Sequence, residues 1–210
     1  MSRIRKTIIA VTAVLLSPLA ANALPIVDQE NFSTDARATF IVSNNTNFGR
    51  AQTFTVGLAG LFDSIDVQLS ALSTLTEARI LATSGGVPIG GPGGSTVLAS
   101  SSLISSVGDL FSVDFSAFGL AVNVGDVLAI ELIGDAAWLG SASNPYAGGG
   151  DNYFNANFGA PNWTANGNSD TNFRTYVDVP TGVPEPGTLA LFGIGLLGMS
   201  VSRRKKSSKI

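Results

Sequence analysis

The chain has 210 residues, with 12 Lys and Arg, 15 Asp and Glu, no Cys and no His. It therefore has no thiolate nucleophile, disulfide, or imidazole base or ligand, which closes the commonest routes to hydrolytic and transition-metal chemistry. Eight of the basic residues (Arg3, Arg5, Lys6, Arg203, Arg204, Lys205, Lys206 and Lys209) lie in the two ends, leaving residues 24–182 with four Arg against 14 acids, a net charge of −10. A body so acidic disfavours nucleic acid and anionic lipid as partners. Its lack of Lys excludes Ser-Lys catalysis, Schiff bases and Lys-Asn isopeptide links.

In chain order, Arg3, Arg5 and Lys6 precede an apolar run from Thr7 to Leu16, Pro18 breaks that run, and Ala21-Asn22-Ala23 places small residues around a cleavage point. This is the pattern of a secretory signal peptide, helical in its apolar part and removed after Ala23 by signal peptidase. Residues 24–182 are then long enough for one domain with its own core.

Within that body, hydrophobic residues recur at period two. From Phe62 to Leu72, Ile65, Val67, Leu69 and Ala71 share one face, and Ser64, Asp66, Gln68 and Ser70 the other. Such alternation predicts a half-buried antiparallel strand. The same period places Phe111, Val113 and Phe115 together in Leu110–Phe115, and Phe173, Thr175, Val177 and Val179 together in 173–179. Further strands are expected at Arg50–Val56, Glu77–Ala82, Thr96–Ser102, Val127–Leu132 and Ala136–Ser141. Gly-, Asn- and Pro-rich turns separate them, clearest at Gly85-Gly86, Gly90–Gly94 and Gly148–Gly150. About eight short strands at this spacing, with no amphipathic helix and no repeat, predict an all-β antiparallel sandwich of the jelly-roll kind.

Three constellations in the body bear on chemistry. Trp138, Tyr146, Tyr153, Phe154, Phe158 and Trp163 lie in a stretch otherwise rich in Gly and Asn. Trp138 is expected in the core. Tyr146, Tyr153 and Trp163 are the candidates for carbohydrate contact, since aromatic faces stack on sugar C–H faces while nearby Asn and Asp bond hydroxyls. Asp151, Asn152, Asn155, Asn157 and Asp170 offer hard oxygen ligands on a Gly-rich loop, the donor type Ca²⁺ takes, with Asp151, Asn155 and Asp170 as the ligand candidates for a structural ion. Their spacing is not that of an EF-hand, and a solvated Asn/Asp turn is the plainer reading. The carboxylate pairs Asp63/Asp66 and Asp109/Asp114 are the residues for a two-acid hydrolase, which requires both acids to flank one cleft.

The C-terminus is the most specific segment. Val183-Pro184-Glu185-Pro186 is followed by the uncharged run Thr188–Val201 and then by Arg203-Arg204-Lys205-Lys206. As a helix that run is ~21 Å long, short of a ~30 Å hydrocarbon core, so it is a marginal transmembrane helix extended by snorkelling of Arg203. Gly193, Gly195 and Gly198 open its backbone to close approach by another helix. The basic cluster favours a cytoplasmic end and puts the body on the other side. Pro184 and Pro186 hold the motif extended, the form a protease cleft accepts.

These three parts resemble the PEP-CTERM sorting signal. The resemblance implies recognition by an exosortase, a membrane protease or transpeptidase of Gram-negative bacteria that make exopolysaccharide, with the motif as substrate. More diffusely, Ala51–Val56, Thr96–Ala99, Val124–Ile130, Tyr146–Gly149 and Phe173–Val177 make the body look like the choice-of-anchor ectodomains, small β-sandwiches that precede interchangeable surface anchors. That likeness implies a fold and no activity. The expected protein is a non-catalytic surface or matrix component, anchored in the inner membrane before sorting, that binds exopolysaccharide or plays a structural part in a biofilm. A carboxylate hydrolase and a passive surface protein are the alternatives.

Overall fold

In the computed structural model the described residues are 24–33, 38–42, 48–70, 73–90, 96–143, 145–158 and 160–180. The signal helix, the span Thr188–Val201, the motif Val183–Pro186 and the basic stop Arg203–Lys206 lie outside them. Among the described residues no helix is long and apolar enough to cross a membrane.

The period-two alternation folds as strands throughout. In chain order these are β1 (Ile26–Asn31), β2 (Ala38–Val42), β3 (Phe48–Thr55), β4 (Gly60–Gln68), β5 (Thr74–Ser84), β6 (Val87–Pro88), β7 (Val97–Ser101) and β8 (Ile104–Val107). They continue as β9 (Leu110–Asp114), β10 (Ala121–Val122), β11 (Val127–Ser141), β12 (Asp151–Asn155), β13 (Ala160–Asn166), β14 (Asp170–Thr171) and β15 (Phe173–Asp178).

One sheet runs β1-β15-β4-β9-β8, with β10 on β4, and the other runs β13-β12-β3-β11-β5-β6, with β2 and β14 on β11 and β7 on β5. All pairings among them are antiparallel. Four of the pairs are nested: β1 with β15, β3 with β11, β4 with β9 and β5 with β7. An antiparallel ribbon paired along its length and then rolled over gives this order, which is that of a jelly roll.

The inward faces meet in one core. Phe54, Ile80 and Ile130 from one sheet pack with Phe62, Ile65, Val67, Val113, Phe173 and Val177 from the other. The Phe54 ring lies 6.0 Å from Phe62 and 6.1 Å from Phe173, bridging the layers. The face expected for β4 is the one observed, with Ile65, Val67 and Leu69 fully buried. At one corner the sheets join: Leu69 bridges to Trp138, which is fully buried and donates its indole N–H to the Asn172 carbonyl at 2.9 Å.

Two expectations need correction. Val127–Leu132 and Ala136–Ser141 are one 15-residue strand, β11. Gly134, at φ 148°, sits where the ladder to β5 shifts register, and a bulge there carries the strand through where a turn was expected. The Gly- and Asn-rich stretch after Trp138 also holds sheet structure, since β12 and β13 extend the larger sheet beyond β3.

Candidate functional site

Alternation along β3, β5, β11 and β12 turns a second set of side chains away from the main core. Ala51, Leu81, Ala129, Phe154 and Trp163 form a smaller apolar cluster on the outer face of the larger sheet, with Val87 against it. Beside this cluster lies a cleft of about 380 Å³, lined by Thr53 and Thr55 of β3, Gly86, Val127 of β11, the loop Ala147–Gly150, Asp151 and Asn152 of β12, and Ala165–Gly167.

The loop rests directly on β3. Thr53 Oγ1 donates to the Gly150 carbonyl at 3.0 Å and accepts the Gly150 N–H at 2.9 Å, while Thr55 Oγ1 donates to the Gly148 carbonyl at 2.7 Å. A Cβ at Gly149 would stand 1.9 Å from the Thr53 carbonyl oxygen, so only glycine permits this approach. Asn152 Nδ2 donates to the Gly150 carbonyl at 2.9 Å. Its Oδ1 is buried and has no hydrogen-bond partner among the described residues. The wall thus combines peptide groups, two threonine hydroxyls and the side of Asn152.

Behind the cleft lies a buried polar hub. Asp151 Oδ2 accepts from Arg50, from Asn166 Nδ2 at 3.1 Å and from Ser169 Oγ at 3.1 Å. Burial nevertheless pushes Asp151 up to about 6. Asp170 Oδ1 accepts from Gln52 Nε2 at 3.0 Å, and its Oδ2 accepts the Tyr146 N–H at 2.8 Å. Burial raises the Asp170 pKa as well.

The calcium-ligand candidates Asp151 and Asp170 lie in this hub, and Asn155 stands apart from it in a turn. Arg50, Asn166 and Ser169 all bond Asp151 Oδ2, Asp151 Oδ1 has no hydrogen-bond partner among the described residues, and both Asp170 oxygens are bonded to protein donors. Asn155 caps a turn through the Asn157 N–H at 3.1 Å. Among the described residues no three acidic side chains converge.

The three aromatic candidates do not make one platform. Tyr146 is 9% exposed and packs edge-on against Phe173 at 5.2 Å, with its hydroxyl donating to Gln29 Oε1 at 2.8 Å. Trp163 is 5% exposed and lies 6.0 Å from Phe154 in the outer cluster. Both rings are covered on packing grounds, and neither offers a face to a sugar. Tyr153 is half-buried, with the Arg50 guanidinium 5.9 Å from its ring centre.

The expected carboxylate pairs are occupied too. Asp66 accepts from Ser112 at 2.5 Å and Tyr176 at 2.7 Å, and Asp63 from Ser64 at 2.7 Å. Asp109 accepts from Gln68 Nε2 at 2.7 Å, and Asp114 caps a turn through the Ser116 N–H at 2.8 Å.

Sequence reading missed a triad on the outer sheet face. Arg79 Nε donates to Glu77 Oε1 at 2.6 Å, and its Nη1 lies 3.6 Å from Glu131 Oε2. The Arg79 hydrogen bond holds Glu77 below its ordinary pKa, whereas burial pushes Glu131 up to about 7. Glu131 is fully buried, with neither carboxylate oxygen hydrogen-bonded among the described residues. A signal was present: Glu131 falls on the Val127 and Ala129 side of an alternating strand. Its meaning needed the register that sets Glu131 opposite Arg79.

Residues 182–206 match the family model described as the PEP-CTERM protein-sorting motif. The matched span contains Val183–Pro186 and the basic run Arg203–Lys206. The motif implies processing by an exosortase and an extracellular destination. No curated protein and no solved structure matches the chain.

Proposed function

We propose that the PEP-CTERM motif delivers this protein to the cell surface or extracellular matrix of a Gram-negative bacterium, where the jelly roll is a non-catalytic, carbohydrate-binding component of an exopolysaccharide matrix. Sorting begins with export by the N-terminal signal and anchoring through the apolar tail. The carbohydrate part rests on one observation, the cleft on the outer sheet face lined by Thr53, Thr55, the Ala147–Gly150 loop and Asn152. The peptide groups and threonine hydroxyls of that wall suit sugar hydroxyls, and Asn152 holds the Gly150 carbonyl in place among them.

Binding is favoured over turnover because, of the two acids flanking Arg79, one is hydrogen-bonded to it and the other is buried. Glu77 and Glu131 share one Arg79, and the second is sealed from solvent. Titration calorimetry of the purified protein against a panel of bacterial exopolysaccharides tests the reading. Saturable binding that Asn152→Ala weakens at least tenfold is expected. Binding to no member of the panel, or binding indifferent to Asn152, overturns it.

A further inference from the structure

The four strands that end the two sheet orders are β1, β8, β13 and β6. A free strand edge invites pairing with another chain, and proteins blunt it with charge, proline or irregular register. Three of these four carry such devices, and β7, which lies off the order on β5, has a register shift in its ladder. β1 has Asp28, Glu30 and a register shift between Val27 and Gln29. β13 contains Pro161, and β6 is only Val87-Pro88. β8, Ile-Ser-Ser-Val, has none of these, and its ladder to β9 is regular. Indeed no charged residue stands anywhere between Arg79 and Asp109.

We propose that β8 is a self-association edge that pairs antiparallel with β8 of a second copy of this chain, about a two-fold axis at Ser105. The Asp114 N–H bonds the Leu103 carbonyl at 3.1 Å, so Leu103 and, by alternation, Ser105 and Val107 turn their backbone groups toward β9. Ile104 and Ser106 turn theirs outward. With Ser105 opposite its own copy, Ile104 meets Ser106 of the other chain, and the two strands exchange four backbone hydrogen bonds.

That register also sets Leu103 against Val107 of the other copy, twice. Leu103 is 62% and Val107 85% exposed, and they are therefore apolar side chains without cover that complement each other across the axis. Charge selects the same edge. Two domains of net charge −10 repel, and an uncharged margin lets them meet without desolvating carboxylates. A contact this small is weak between free molecules. Many copies held on one surface or in one matrix make it cumulative. It does not involve the cleft.

The lack of Cys supplies a clean test, since an introduced thiol is the sole one. Residues opposite one another in a pair that shares no hydrogen bonds approach to ~4.5 Å between Cα atoms, within disulfide reach. The full chain carrying Ser105→Cys is compared under mild oxidation with one carrying Ala117→Cys, at an exposed turn position. Non-reducing gels are expected to show dimer forming at least tenfold faster for Ser105→Cys, with Val107→Lys added to it abolishing that advantage. Equal rates at the two positions, as an association through the apolar tail would produce, overturn the proposal. So does a Ser105→Cys rate unaffected by Val107→Lys.

Discussion

Gln52 and Asp170 stand 118 residues apart in sequence and are joined by a 3.0 Å hydrogen bond inside the protein. Gln52 Oε1 also accepts the Thr171 N–H at 2.7 Å and the Thr171 hydroxyl at 3.1 Å. One fully buried amide thereby fastens β3 to β14, and through Asp170 to the backbone of Tyr146. Replacing Gln52 by Ala strands a buried carboxylate oxygen and a buried N–H. Chemical denaturation is expected to register a loss of about 2–4 kcal/mol.

The buried acids set the pH dependence of stability. Glu131 and Asp151 are both raised by burial, to about 7 and about 6. The folded protein therefore holds more protons than the unfolded chain between ~pH 4 and 7, and stability falls as pH rises across that interval. Thermal unfolding is expected to show a higher Tm at pH 5 than at pH 8. Glu131→Gln, which keeps the shape and removes the titration, reduces that difference. A Tm that climbs from pH 5 to 8 contradicts this.

Gly134 carries β11 past its bulge at φ 148°, with Thr74 carbonyl oxygen 2.1 Å from where a Cβ would lie. Gly134→Ala forces the two strands apart or the bulge out. It is expected to destabilise the fold by more than ~1 kcal/mol, beyond the usual backbone effect of that change. Comparison with Gly167→Ala, at a position where a Cβ meets open space, isolates the clash.

Trp163 and Tyr153 separate packing from contact with ligand. Trp163→Ala removes the large ring from the cluster of Ala51, Leu81, Ala129 and Phe154 and is expected to cost about 3–5 kcal/mol in denaturant titration. Tyr153→Ala, at a half-buried site, is expected to cost less than half as much. Equal costs contradict the assignment of Trp163 to the core.

The fold was legible where burial is one-sided. Ile65, Val67 and Leu69 alternate with polar residues because one face of β4 meets the core and the other does not, and β15 reads the same way. β8 was not legible, because an edge strand that buries little writes no alternation into Ser105, Ser106 and Val107. The aromatic stretch misled for a different reason. Composition cannot distinguish a ring offered to solvent from one turned inward, and the Tyr146 ring is turned inward against Phe173 with its hydroxyl on Gln29. The Asn152 acceptor and the Glu77–Arg79–Glu131 triad depend on strand register, which one sequence does not carry.

Sorting at the C-terminus is the central claim, and the mass of the C-terminal peptide of the protein isolated from its native envelope tests it most directly. A chain that ends between Pro184 and Gly187, and that regains Ile210 when the exosortase is deleted, is the predicted result. A chain still ending at Ile210 in cells with active exosortase contradicts it.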